Sequence, residues 1–228
     1  MRSRLLVTVL ALAVLAAGCG RLPVATDRQE PSTARPEASR SADETGETFE
    51  GDIRLAARLG EDFWRRRFAA EGANYRPLRE FVPYRSQDGP ACGGEPALPE
   101  NAFYCPDGHF VAFDEPWMRG MYDRLGDASA YLIILHEIGH AVQAQTMSQY
   151  RLNVERELQA DCYAGGALGS LVAERRLGPE EGDDEELLVN LAAAGDPTDA
   201  WWRPDAHGTA EQRQQAFTVG YNQGVGAC

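Results

Sequence analysis

Five consecutive residues of this 228-residue chain, His136-Glu137-Ile138-Gly139-His140, have the types and the spacing to build a hydrolytic metal site. On a helix, positions i and i+4 share one face a turn apart, so two imidazoles can converge on a single zinc ion. Glu137, one step round, can then act as base on a zinc-activated water without being a ligand itself. The bland alternative is a helix with two surface histidines. Against it, Tyr131 to Leu135 and Ala141-Val142 make both flanks apolar, and half of the chain's four histidines fall in this motif.

A hydrolytic zinc needs a third protein ligand and an open fourth position. The other histidines, His109 and His207, do not fit the H-E-x-x-H-x-x-G-x-x-H extension, so a carboxylate is expected. Glu155, Glu157 and Asp161 are the acids of the next helical stretch. Glu157 and Asp161 share a face at i, i+4, whereas Glu155 points elsewhere. Glu157 is therefore the candidate ligand and Asp161 the candidate acceptor that orients a ligating imidazole; the alternative for both is a solvated helix charge. His207 is either a donor to a developing oxyanion or a structural cap beside Thr209 and Glu211. Tyr163 reads as core. Trp201 and Trp202 read as buried packing, with a substrate rim or contact patch as the alternatives.

The elements that must position these residues are legible as patterns. Ala130 to Ala144 reads as a buried helix carrying the motif. Before it, Asp52 to Glu71 reads as an amphipathic helix stopped by Gly72, and Tyr75 to Glu100, rich in Pro and Gly, as loop. Phe103 to Cys105 and Phe110 to Phe113 flank the turn signal Pro106-Asp107-Gly108-His109, which predicts a hairpin. Further helices are predicted over Leu152 to Arg176, Leu187 to Ala194 after an acidic loop from Gly178 to Glu186, and Thr209 to Tyr221, which opens close to a capping box. The class is α+β, predominantly helical with a small β-sheet or hairpin.

The ends and the composition suggest a location. Met1-Arg2-Ser3-Arg4 followed by an apolar run from Leu5 to Ala17 and by Gly18-Cys19 has the organisation of a signal peptide over residues 1–18. Leu15-Ala16-Ala17-Gly18-Cys19 resembles a lipobox, which would make Cys19 a lipidated first residue and place the protein on the extracytoplasmic face of a bacterial membrane. Ala16 stands where Leu is more usual, so ordinary secretory cleavage is the rival. Residues 19–48 lack any aromatic and read as a disordered tether, able to hold residues 49–228 roughly 30 Å from an anchor.

Five cysteines are odd in number, and setting Cys19 aside leaves Cys92, Cys105, Cys162 and Cys228 for disulfides in an oxidising compartment. Three connectivities exist. The preferred one pairs Cys92 with Cys105 across a short loop and Cys162 with Cys228. All 22 basic residues are Arg, and the net charge of −13 falls entirely within residues 49–228, which argues against nucleic acid as a partner.

The chain resembles the bacterial family of neutral zinc metallopeptidases. The resemblance is carried by Asp62-Phe63-Trp64, Phe103-Tyr104-Cys105-Pro106 with Cys92 upstream, and His136 to Gln143. It continues through Glu157-Leu158-Gln159-Ala160-Asp161 up to Gly165, Gly195-Asp196, His207 to Arg213, Gly220-Tyr221 and Cys228. It implies a zincin-like α+β fold, Zn²⁺ held by His136, His140 and Glu157, Glu137 as catalytic acid or base, and the same two disulfides. Asp114 to Gly120 departs from the family's more regular strand-to-helix passage, and Trp201-Trp202-Arg203-Pro204 looks particular to this branch. The expected activity is hydrolysis of a peptide or protein substrate. The rivals are a zinc-bearing, non-catalytic binding lipoprotein and a zinc hydrolase of a non-peptide amide such as a cell-wall cross-link.

Overall fold

The computed structural model describes residues 48–228. The predicted leader, Cys19 and nearly all of the predicted tether lie outside the described residues. Helix α1, Phe49–Ala70, is capped by Thr48, whose side chain accepts from Gly51 N at 3.1 Å, and acids in its first turn suit its dipole. Its buried stripe includes Ile53, Ala56, Phe63, Trp64 and Phe68. Gly60 allows α1 to lie close on the motif helix, because a Cβ there would stand 2.7 Å from both Leu135 Cδ2 and Ile138 Cδ1.

A three-stranded mixed sheet follows, built from β1 Phe81–Tyr84, β2 Ala102–Cys105 and β3 Phe110–Asp114 in the order β1-β3-β2. The hairpin β2–β3 is antiparallel as expected, with Cys105 opposite Phe110. Strand β1 corrects the reading of Tyr75 to Glu100 as loop: it pairs in parallel with β3, with Phe81 opposite Val111. Pro83 is tolerated there because β1 is an edge strand, where a missing N–H costs no ladder bond. The disulfide Cys92–Cys105 ties the rest of that segment to β2, at a Cα–Cα distance of 5.6 Å.

Asp114 ends β3, and α2, Glu115–Leu125, begins at once; Pro116 sits in the first turn, where its missing N–H is harmless. The motif helix α3, Ala128–Thr146, is buried through Gln143 except at the half-buried Ile133, which lines the cleft. It packs between α1 and α4, Asn153–Ala173. Helix α5, Asp183–Ala193, starts four residues earlier than the sequence reading placed it. Its first turn, Asp183 to Glu186, is the last part of the segment Gly178 to Glu186 read as acidic loop, and four carboxylates at a helix N-terminus complement the dipole. Helix α6, Ala210–Gln223, carries the capping box, with Thr209 and Gln212 as its two members. Among the described residues the architecture is thus mainly helical α+β, and none of the helices is long and apolar enough to cross a membrane.

Candidate metal centre

His136 and His140 occupy one face of α3, both buried, with ring centroids 4.7 Å apart and planes at 87°. Helix α4 crosses this face where Gly139 meets Ala160; a Cβ on Gly139 would lie 3.2 Å from Ala160 O, so the glycine sets how close the helices come. The crossing brings Glu157, also buried, under both rings. Its Oε2 lies 3.3 Å from His136 Nε2 and 3.5 Å from His140 Nε2. Around a tetrahedral zinc with bonds of about 2.0–2.1 Å, neighbouring ligand atoms are about 3.4 Å apart, so these edges fit such an ion. The three ligand atoms form a buried group within 4.8 Å of one another.

Each imidazole is turned so that Nε2 points at that group. His136 Nδ1 donates to Asp161 Oδ1 at 2.8 Å, and His140 Nδ1 donates to Gln143 Oε1 at 2.8 Å. Gln143 is held in turn, its Nε2 donating to Arg156 O at 2.8 Å. Asp161 is fully buried and receives a two-pronged contact from Arg213 of α6, Nε to Oδ2 and Nη2 to Oδ1, each 2.8 Å. Arg213 also donates from Nη1 to Ala194 O at 3.0 Å. On the other side, Arg156 Nη2 donates to Glu157 Oε1 at 2.8 Å, which leaves Oε2 for the histidines.

The electrostatics describe a cation-seeking pocket. Burial alone would lower the pKa of His136, but the charge and hydrogen bond of Asp161, together with Glu157, push it up to about 10. Burial would raise Glu157, yet the two histidines hold it well below the usual carboxylate range. Asp161 is likewise held low against burial by Arg213 and His136. A divalent cation placed among Nε2, Nε2 and Oε2 would take the position of the proton that these groups otherwise share.

Glu137 faces the same cleft, of about 560 Å³, and its Oε2 is buried without a hydrogen-bond partner among the described residues. An orphaned carboxylate oxygen beside a preformed ligand set is costly for folding alone and suits a water or substrate held there. The edge strand β2 lines the cleft from Ala102 to Tyr104, and Trp117, Leu132 and Leu191 add apolar wall. His207 also lines it, with an exposed side chain, in a turn pinned by Asp196, whose Oδ2 accepts from His207 N at 2.7 Å and Gly208 N at 3.0 Å. The cap of α6 belongs to Thr209 and Gln212, not to His207.

The model of the family described as "Putative neutral zinc metallopeptidase" matches residues 2–228. This chain belongs to that family. It is 33% identical over 189 residues to the uncharacterized protein YpfJ of Escherichia coli K12, an alignment covering 72% of this chain and 64% of the relative. It is 33% identical over 171 residues to the uncharacterized protein Mb2605 of Mycobacterium bovis, covering 62% of this chain and 58% of that one. The chain therefore spans less than two thirds of the length of these relatives. No solved structure matches it.

Within this member of the family, the structure brings together the residues singled out from the sequence: His136, His140 and Glu157 as a group, Asp161 against His136, and Glu137 and His207 on the cleft. The cysteines pair as Cys92–Cys105 and Cys162–Cys228. His109 is absorbed by the fold, with Nδ1 accepting from Tyr104 Oη at 2.9 Å and Nε2 donating to Arg76 O at 3.1 Å. Tyr163 packs edge-on against Trp64 in the core. Trp201 and Trp202 correct the buried-packing expectation: they are 50% and 64% exposed, stacked edge to face on the surface. Gln143, Arg156, Arg213 and Asp196 were missed as supporting residues. Gln143, three residues after His140 on the same helix face, and Arg156, next to Glu157 on α4, have local contacts; Arg213 and Asp196 act across longer stretches of chain.

Proposed function

We propose that this protein is a zinc-dependent peptidase, in which His136, His140 and Glu157 hold Zn²⁺ and Glu137 is the general base. The observation that carries this reading is the buried three-atom ligand set with its tetrahedral edge lengths, beside the partnerless Oε2 of Glu137. Zinc bound there supplies a Lewis acid that polarises a substrate carbonyl and acidifies a water. Glu137 takes the proton of the attacking water on Oε2 and then passes it to the leaving amine. Asp161 and Gln143 keep the proton of each imidazole on Nδ1, so that both Nε2 lone pairs stay available. An extended substrate can add to the free edge of β2, which lines the cleft, by backbone hydrogen bonds. His207 lines the same cleft, which supports a role for its exposed imidazole as donor to the charge that develops on the carbonyl oxygen.

We infer also that the peptidase acts outside the cytoplasm, anchored through Cys19. The apolar run ending in Gly18-Cys19 and the disulfide use of the remaining four cysteines support this.

The deciding experiment combines metal analysis with a peptide-library digest. The purified wild-type protein should carry one zinc and cleave peptides, Glu137→Gln should keep the zinc and lose turnover, and His136→Ala should lose both. Full peptidase activity in Glu137→Gln would sink the assignment of the base. Bound zinc without cleavage of any peptide by the wild type would sink the peptidase reading in favour of a binding lipoprotein or a hydrolase of another amide.

A further inference from the structure

Helix α5 buries a stripe of three residues, Leu187, Asn190 and Leu191. Two of them do what a core stripe requires. The third does not: Asn190 is 3% exposed, and its Nδ2 is buried with no hydrogen-bond partner among the described residues. Its backbone is fully employed, the carbonyl accepting from Ala194 N at 3.0 Å, so the helix itself asks nothing of the side chain. An amide whose N–H₂ is withdrawn from water and unpaired weakens the fold, and a leucine at this position would not. The residue also lines the cleft that holds Glu137 and the ligand set, next to Ala194, whose carbonyl Arg213 grips. A donor placed on the wall of a substrate cleft, buried and without an acceptor, is a group waiting for an acceptor that the ligand brings.

We propose that Asn190 is a substrate-binding residue, whose amide donates to a backbone carbonyl of the peptide other than the one attacked. The inference rests on the peptidase reading, because a peptide lying along the cleft offers such carbonyls on both sides of the scissile bond. The amide is uncharged, so it recognises the peptide backbone without selecting a charged side chain. β2 and Asn190 then supply two separate attachments for one extended chain, which fixes its direction as well as its position.

The test uses the full zinc-loaded chain and peptides that the wild type cleaves in a library digest. Asn190→Leu should retain zinc and melt at the same or a higher temperature, while kcat/KM falls about tenfold or more for the loss of one substrate hydrogen bond made in a buried site. Asn190→Asp, of the same shape but without the donor, should fall at least as far. A peptide in which a reduced CH₂–NH link replaces the accepting carbonyl should be cut more slowly by the wild type, with no further loss in Asn190→Leu. In parallel, binding of the same peptides to Glu137→Gln protein, with and without Asn190→Leu, should show a Kd raised by a similar factor. Unchanged kcat/KM and Kd in Asn190→Leu, or a lower melting temperature with loss of zinc, would overturn the proposal and leave the peptidase reading intact. Absence of both peptide cleavage by the wild type and peptide binding by Glu137→Gln would overturn the two together.

Discussion

Replacing Arg213 by methionine is the sharpest test of how this metal centre is held. Arg213 is 7% exposed and Asp161 0%, and the two meet through a pair of 2.8 Å contacts, so the substitution strips a carboxylate of its counter-charge in a place water does not reach. Two charge-assisted hydrogen bonds contribute about 1.5–3 kcal/mol each, and deleting one partner of a buried ion pair costs about 3–5 kcal/mol in all. That is a large part of the roughly 5–15 kcal/mol that holds a typical domain together. The third contact, to Ala194 O, disappears too and frees the end of α5.

The magnitude has a second, separable component. Asp161 fixes the tautomer of His136 through its Oδ1, and loss of such an outer partner typically weakens metal binding by about 10–100-fold. Urea melts of the oxidised protein, with and without a chelator, measure the first component, and chelator competition measures the second. The double variant Arg213→Met/Asp161→Asn should regain part of the lost stability, because the orphaned charge is gone while an acceptor for His136 Nδ1 survives. If Arg213→Met melts within about 1 kcal/mol of the wild type and binds zinc equally well, the buried pair is not what holds the centre, and the reasoning from buried charge fails.

Two further outcomes follow from particular contacts. Gly220→Ala should destabilise by at least about 1–3 kcal/mol in thermal or urea melts, because the new Cβ would lie 1.9 Å from Cys162 O with backbone on every side, whereas Gly178→Ala, with nothing within 4 Å, should be neutral or slightly stabilising. Asp127 has its pKa raised from 3.8 to about 6 by burial and by the charges of Asp52 and Asp183. Its contribution to stability is therefore full below about pH 4 and is lost as pH rises through about 6. Its side chain makes no cap bond to α3, so Asp127→Asn should melt above the wild type at neutral pH and converge with it at pH 4, as a melting-temperature profile will show; a constant offset across that range would refute the titration.

The parts of this molecule that were legible in the sequence are those whose signal is local. The i, i+4 spacing of His136 with His140, and of Glu157 with Asp161, puts the ligand set and its orienting carboxylate on two helix faces. Thr209 with Gln212 announced the start of α6. What stayed hidden depends on a partner distant in sequence. Phe81 to Tyr84 contains a proline and sits in a glycine-rich segment, and only pairing with β3 makes it a strand. The acids of Asp183 to Glu186 look like solvated loop until the helix dipole is counted. Trp201 and Trp202 are apolar by composition and exposed by position, a placement that no pattern in their own segment specifies. Arg213 lies 52 residues from the carboxylate it holds, so its role exists only in the fold.

The crossing of α4 with α6 explains why that distance is bridged. Gly165, Gly169 and Gly220 leave no side chain between the helices: a Cβ on Gly165 would sit 2.1 Å from Phe217 O, and one on Gly169 2.4 Å from Tyr221 O. Close backbone approach brings Arg213 onto Asp161, and the Cys162–Cys228 disulfide, whose first cysteine follows Asp161 directly, ties the chain beyond α6 back to α4. Helix α4 therefore serves both imidazoles at once, His136 through Asp161 and His140 through the Arg156 carbonyl that fixes Gln143. A shift of α4 along α3 would misalign both rings and Glu157 together. The small residues, the disulfide and the buried ion pair fasten α4 to α6, and Arg213 extends the hold to the end of α5, so α4 can shift on α3 only by dragging these elements with it, which is why packing far from the ligands should register in metal affinity.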